Sequence, residues 1–98
     1  MTIKNKLELQ KVLMVNSVVA GDPDSGWWEV NSLTPIMRRE CAKHSLRSIN
    51  HSTVERNIRH FRDPKHFLDV EKRKVSDNTW EYRVTHKSDS HRQLDLAV

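Results

Sequence analysis

Cysteine, glycine and long apolar runs are all scarce in this chain of 98 residues. A single cysteine, Cys41, rules out an internal disulfide. Two glycines and three prolines leave no glycine-rich phosphate loop and no low-complexity linker. The longest apolar stretches, such as Val12-Leu13-Met14-Val15, fall far short of a membrane span, and no basic-then-apolar signal segment opens the sequence. A soluble, cytoplasmic protein is the expectation. Paired carboxylates of the kind that perform acid–base chemistry are missing too, which argues against an enzyme. A chain of this length builds one modest core and has little depth left for a cleft.

What the sequence does contain is charge in one place. The apolar fraction is 36% and the charged fraction 31%, the balance of a folded domain with a wet surface. The formal net charge of +4 is unevenly spread. Residues 38–74 hold eleven Lys/Arg (38, 39, 43, 47, 56, 59, 62, 65, 72, 73, 74) and five acids (40, 55, 63, 69, 71), a net +6. The segments before and after each hold three bases and four acids. A basic middle third sets up a field over one surface if the fold gathers it there.

Hydrophobic spacing predicts the elements. Residues 6–20 read as a helix, with Leu9, Val12, Leu13 and Asn16 or Val19 inward. The V-L-M-V run also suits a short strand. G-D-P-D-S-G, residues 21–26, is a break. Trp27-Trp28-Glu29-Val30 has room for one short strand with its tryptophans on opposite faces, one in the core and one at its rim. Thr34-Pro35 predicts a helix start, with Thr34 or Ser32 as cap and proline in the first turn. Ile36 or Met37, Cys41 and Ala42 should face inward. After a short connector, N-H-S-T-V-E-R-N-I-R-H-F over residues 50–61 predicts a second helix, capped by Asn50 or Ser48. Val54, Ile58 and Phe61 make its apolar stripe, set against the first helix and Trp80, and Asp63-Pro64 ends it. The period then falls to two. Leu68 and Val70, then Trp80, Tyr82 and Val84, alternate with charged residues around Ser76-Asp77-Asn78, which predicts a β-hairpin over about 67–85. Residues 87–98 read as a loose tail or docking arm. The fold class is α+β, a single domain over residues 1–86 in which helices pack on a C-terminal hairpin with one extra short strand.

The order helix, strand, helix, connector, helix, hairpin resembles a winged helix-turn-helix domain over residues 27–85. T-P-I-M-R-R-E-C-A-K-H-S-L and N-H-S-T-V-E-R-N-I-R-H-F look like its two crossed helices, the latter spanning residues 50–62 with its end. H-F-L-D-V-E-K-R-K-V-S-D-N-T-W-E-Y-R-V looks like its wing. The start S-T-V-E-R-N-I is similar to that of many recognition helices. The resemblance implies a sequence-specific binder of double-stranded DNA, a small repressor-like transcription regulator of bacterial or phage type acting at the nucleoid without a cofactor. It implies a groove-facing group of His51, Ser52, Thr53, Glu55, Arg56 and Arg59, and a wing contact through Lys72, Arg73 and Lys74. The chain departs from the pattern at the tight turn, where Ser45-Leu46-Arg47-Ser48 has no glycine.

The residue chemistry runs alongside that expectation. Arg56 and Arg59 are neighbours on a helix, and the arginine fork fits a phosphate or the O6/N7 edge of guanine. Ser52 and Thr53 are short enough to let the helix start approach a phosphate. Arg38, Arg39, Lys43 and Arg47 suit phosphate positioning more than base reading. Each of these cations has a bland reading as solvated surface charge.

Three other readings compete. Cys41-x2-His44 followed by His60-x5-His66 has zinc-like spacing, which would make a Cys/His-stabilised nucleic-acid-binding domain. The second pair straddles Pro64, however, and Cys41 reads more simply as a small core residue, so no metal is expected. A histidine nuclease would draw on His51, His60 and Glu55, with no partner for a general base in sight. A protein-interaction module is the stronger rival, since a fold does not fix a function. The N-terminal helix and Leu94-Asp95-Leu96 would then be partner surfaces. A homodimer through residues 3–20 is expected, because one small reader contacts few bases.

Overall fold

Asn5 caps the first helix by accepting the Glu8 amide at 2.7 Å. In the computed structural model, which describes residues 3 and 5–86, that helix, α1, is Lys6–Asn16. The proposed tail 87–98 lies outside the described residues. Strand β1 (Trp28–Glu29) leads directly into α2 (Val30–Lys43), and α3 (His51–His60) follows a connector. A single 3-10 turn at Pro64–His66 precedes the hairpin of β2 (Leu68–Ser76) and β3 (Thr79–His86). The described residues form an α+β arrangement of three helices and a three-stranded antiparallel sheet, ordered β1-β3-β2.

Helix α1 is shorter than its apolar spacing suggests. The Ser17 hydroxyl donates to the Met14 carbonyl at 2.6 Å and accepts from the Trp28 indole at 2.8 Å, which turns the chain away. Asn16 and Val19 are consequently exposed; Leu9 is buried as its spacing predicts, but the other buried residues are Gln10 and Met14, with Val12 and Leu13 half-buried. The break expected at residues 21–26 is present and starts earlier, so that residues 17–27 lie outside any helix or strand. Gly26 there adopts φ 79°, and a Cβ at that position would run into the Val18 side chain, so only glycine fits.

Helix α2 begins four residues before Thr34. Pro35 therefore lies inside the helix instead of at its first position, and removes one backbone bond to Asn31. Thr34 does not cap. Its hydroxyl donates back to the Val30 carbonyl at 2.8 Å and is buried. Leu33, Met37 and Cys41 supply the inward face, Ile36 is half-buried, and Ala42 is exposed.

The missing glycine of the connector is replaced by a serine in the same conformation. Ser45 has φ 57°, the left-handed region. The Leu46 amide donates to Cys41 and the Ser45 amide to Ala42, which closes the helix end with two paired carbonyls. A non-glycine residue there costs about 1 kcal/mol of backbone strain. Two basic side chains brace the connector: Lys6 donates to the Ser48 carbonyl at 3.1 Å and Arg38 to that of Ile49 at 3.0 Å.

Asn50 caps α3, as the sequence suggests, and Val54, Ile58 and Phe61 are fully buried. Each such side chain contributes about 2–3 kcal/mol of burial free energy. Asn57 joins them. Its amide donates to Gln10 Oε1 at 2.9 Å, and Gln10 Nε2 donates to the Val54 carbonyl at 3.0 Å. Gln10 is 0% exposed and Asn57 6%, so this polar pair ties α1 to α3 inside the core. Among the described residues no buried side-chain nitrogen or oxygen lacks a partner. That matters because an orphaned one costs about 1–3 kcal/mol.

The hairpin pairs Val70 with Val84, Lys72 with Tyr82 and Lys74 with Trp80, and Val75 forms a bulge before the Asp77-Asn78 turn. Leu68 and Val84 are buried, and Val70 and Tyr82 pack on the same core from its edge. Trp80 does not support α3. It is exposed, one strand pair beyond the point where the core ends.

Candidate nucleic-acid interface

Helix α3 presents one exposed side. His51, Ser52, Glu55, Arg56 and Arg59 are exposed on it, and Thr53 is half-buried. The helix stands this way because Val54, Asn57, Ile58 and Phe61 occupy the opposite side. The Asn50 side-chain oxygen accepts from the Thr53 amide at 2.8 Å and from both the Ser52 and Thr53 hydroxyls, at 2.8 and 2.9 Å. Those two hydroxyls thus turn back onto the cap, and their role is to shape the first turn.

Two hollows lie between α3 and the hairpin. One is lined by Glu55, Ile58, Arg59 and Arg62 of the helix side and by Lys72 and Tyr82 of the hairpin. The other, nearer the helix start, includes Glu29, Asn31, His51, Glu55 and Trp80. Arg59 and Lys72 are brought together across the first hollow. Arg62 joins them although its position past the helix end gave it no site role. Three residues beyond Arg59, it was readable as the next cation on that flank.

The three consecutive basic residues of the hairpin are divided. Lys72 and Lys74 share a strand face with Trp80; their ammonium groups stand 4.1 and 5.9 Å from the centre of its ring. Arg73 points to the other face. There its guanidinium pairs with Glu81 at 2.8 Å and stacks 4.2 Å above Trp27. Alternation along a strand enforces the division.

The residues proposed as phosphate positioners also part company. Arg38 is engaged with the Ile49 carbonyl, and Lys43 with Glu40 at 3.2 Å. Arg39 and Arg47 are exposed and form no ion pair among the described residues, and the same holds for Arg56, Arg59, Arg62, Lys72 and Lys74.

Cys41 is fully buried, and burial pushes its thiol up from the usual range, with Lys6 pulling weakly the other way. His44 ends α2, His60 is exposed, and the His66 ring meets Phe61 edge-on at 6.2 Å. Among the described residues no three His, Cys, Asp or Glu side chains are grouped to hold an ion. No helix among them is long and apolar enough to cross a membrane. No family model, curated protein or solved structure matches the chain.

Proposed function

We propose that the chain is a winged helix-turn-helix domain that binds double-stranded DNA as a small transcription regulator. In this reading α3 enters the major groove, the β2–β3 hairpin acts as the wing, and two copies bind adjacent half-sites. The element order and the short strand β1 added to the hairpin support the fold part of the reading. The observation that carries the function is the shared surface. Arg59 and Arg62 on the α3 side and Lys72 on the hairpin line one hollow without any ion pair among the described residues, and Arg56 is exposed and likewise unpaired on the same helix.

Such a surface attracts a polyanion. Arg56 and Arg59 have the reach and the fork for guanine O6/N7 or for phosphate. Arg39 and Arg47, on the neighbouring helix and connector, position the backbone.

A salt titration of binding to mixed-sequence duplex DNA tests the proposal. The logarithm of the affinity should fall linearly with the logarithm of salt, by about 0.9 per phosphate contacted. Arg56→Ala should weaken binding by about tenfold, the scale of one good arginine–base contact. Absence of binding at low salt would turn the assignment to a protein partner on the same scaffold.

A further inference from the structure

We propose that Glu55 is a base-reading residue that selects cytosine. This rests on the DNA-binding reading above and names a base that its surface would choose.

Glu55 is exposed in the second turn of α3, and it lines both hollows between that helix and the hairpin. The cations Arg59, Arg62 and Lys72 line one of those hollows with it. Arg59 follows at four residues, the spacing at which a glutamate and an arginine pair on a helix. Nevertheless Glu55 forms no ion pair among the described residues. Its carboxylate is exposed and unpaired beside the basic residues of that hollow.

A carboxylate placed there opposes phosphate binding, and a surface that only gripped the backbone would be better with a neutral residue. The position makes sense for a group that needs a hydrogen-bond donor. In the major groove guanine offers two acceptors and thymine one, and both repel a carboxylate. Adenine offers its N6 amino group beside the N7 acceptor, which repels the second carboxylate oxygen. Cytosine offers its N4 amino group alone, and the hydrogen not used in base pairing satisfies the charge without that opposition. Glu55 therefore lowers affinity for every site except one that presents cytosine at its position.

Selection of the full chain on a pool of duplexes with a randomised centre tests this. Wild type should enrich cytosine at one position, by about tenfold over the other bases. Glu55→Gln should move the preference at that position to adenine, because a carboxamide matches the N6/N7 pair of adenine. Glu55→Ala should erase the preference there, leave the other positions unchanged, and bind mixed duplex more tightly at low salt. Unchanged cytosine enrichment in both variants would overturn the role of Glu55 while leaving the DNA reading intact. A wild type that retains no duplex at low salt would remove the DNA reading and this inference with it. A melting temperature lowered by Glu55→Ala, with base preference untouched, would assign Glu55 to helix stability and also overturn the proposal.

Discussion

The two faces of the β2–β3 hairpin use their charges differently. On the outer face Arg73 pairs with Glu81 and Arg83 with Glu71, each at 2.8 Å, and Trp27 lies beneath Arg73. On the inner face Lys72 and Lys74 flank Trp80 and have no acidic partner among the described residues. One face is neutralised and tied to the loop before β1 through Arg83, whose guanidinium also donates to the Ser25 and Asp22 carbonyls. The other keeps its charge available beside α3. Net charge along the sequence cannot distinguish them, since K-R-K reads as one basic cluster. Strand parity separates it into two lysines with no acidic partner among the described residues and one arginine paired within the fold.

The strongest way to break this contrast is to remove the cations from each face in turn. Replacing Lys72 and Lys74 together with alanine should lower affinity for duplex DNA by about tenfold or more at low salt. The salt slope should shrink by about one for each lysine. Arg73→Ala should leave that slope unchanged, as followed by the same titration. Equal effects from both faces would refute the division.

A smaller effect, on stability, should run the opposite way. Arg83 is 16% exposed along its side chain and serves three acceptors, so Arg83→Ala should cost about 2 kcal/mol in urea unfolding. The smallest is Arg73→Ala. That side chain is 43% exposed, and solvent screening holds the loss below about 1 kcal/mol by the same measurement. The lysine double variant should unfold like wild type, which sharpens the distinction between a face that binds and a face that stabilises.

Much of the arrangement was legible because periodicity reports burial directly. The stripe of Val54, Ile58 and Phe61, the Asn50 cap and the alternation through Val70, Tyr82 and Val84 all appear in the structure where spacing puts them. Misreadings arose where one residue type serves two positions. A proline at the first helical position and one in the helix interior look alike until the true start is known, so α2 seemed to begin at Thr34. Trp80 carries the right parity for the core but lies too far along the hairpin to reach it, and length of reach is not written in alternation. Glycine was missing from the connector, yet Ser45 adopts the glycine conformation, because two backbone bonds at the end of α2 offset the strain. The site was legible as composition and only partly as geometry. Arg56 and Arg59 share the exposed side of α3, whereas the partnership with Lys72 and Arg62 depended on how hairpin and helix pack.

The Gln10–Asn57 pair had no such signature, being two polar residues 47 positions apart. Its consequence is angular. A helix is a cylinder on which each successive residue is displaced by about 100°, so a small roll exchanges one set of outward side chains for another. Greasy contacts alone tolerate some rolling, since methyl groups slide past one another with little directional preference. The hydrogen bonds that Gln10 donates to the Val54 carbonyl and accepts from the Asn57 amide do not. They act as a dowel between α1 and α3, fixing the clock position at which Glu55, Arg56 and Arg59 look outward.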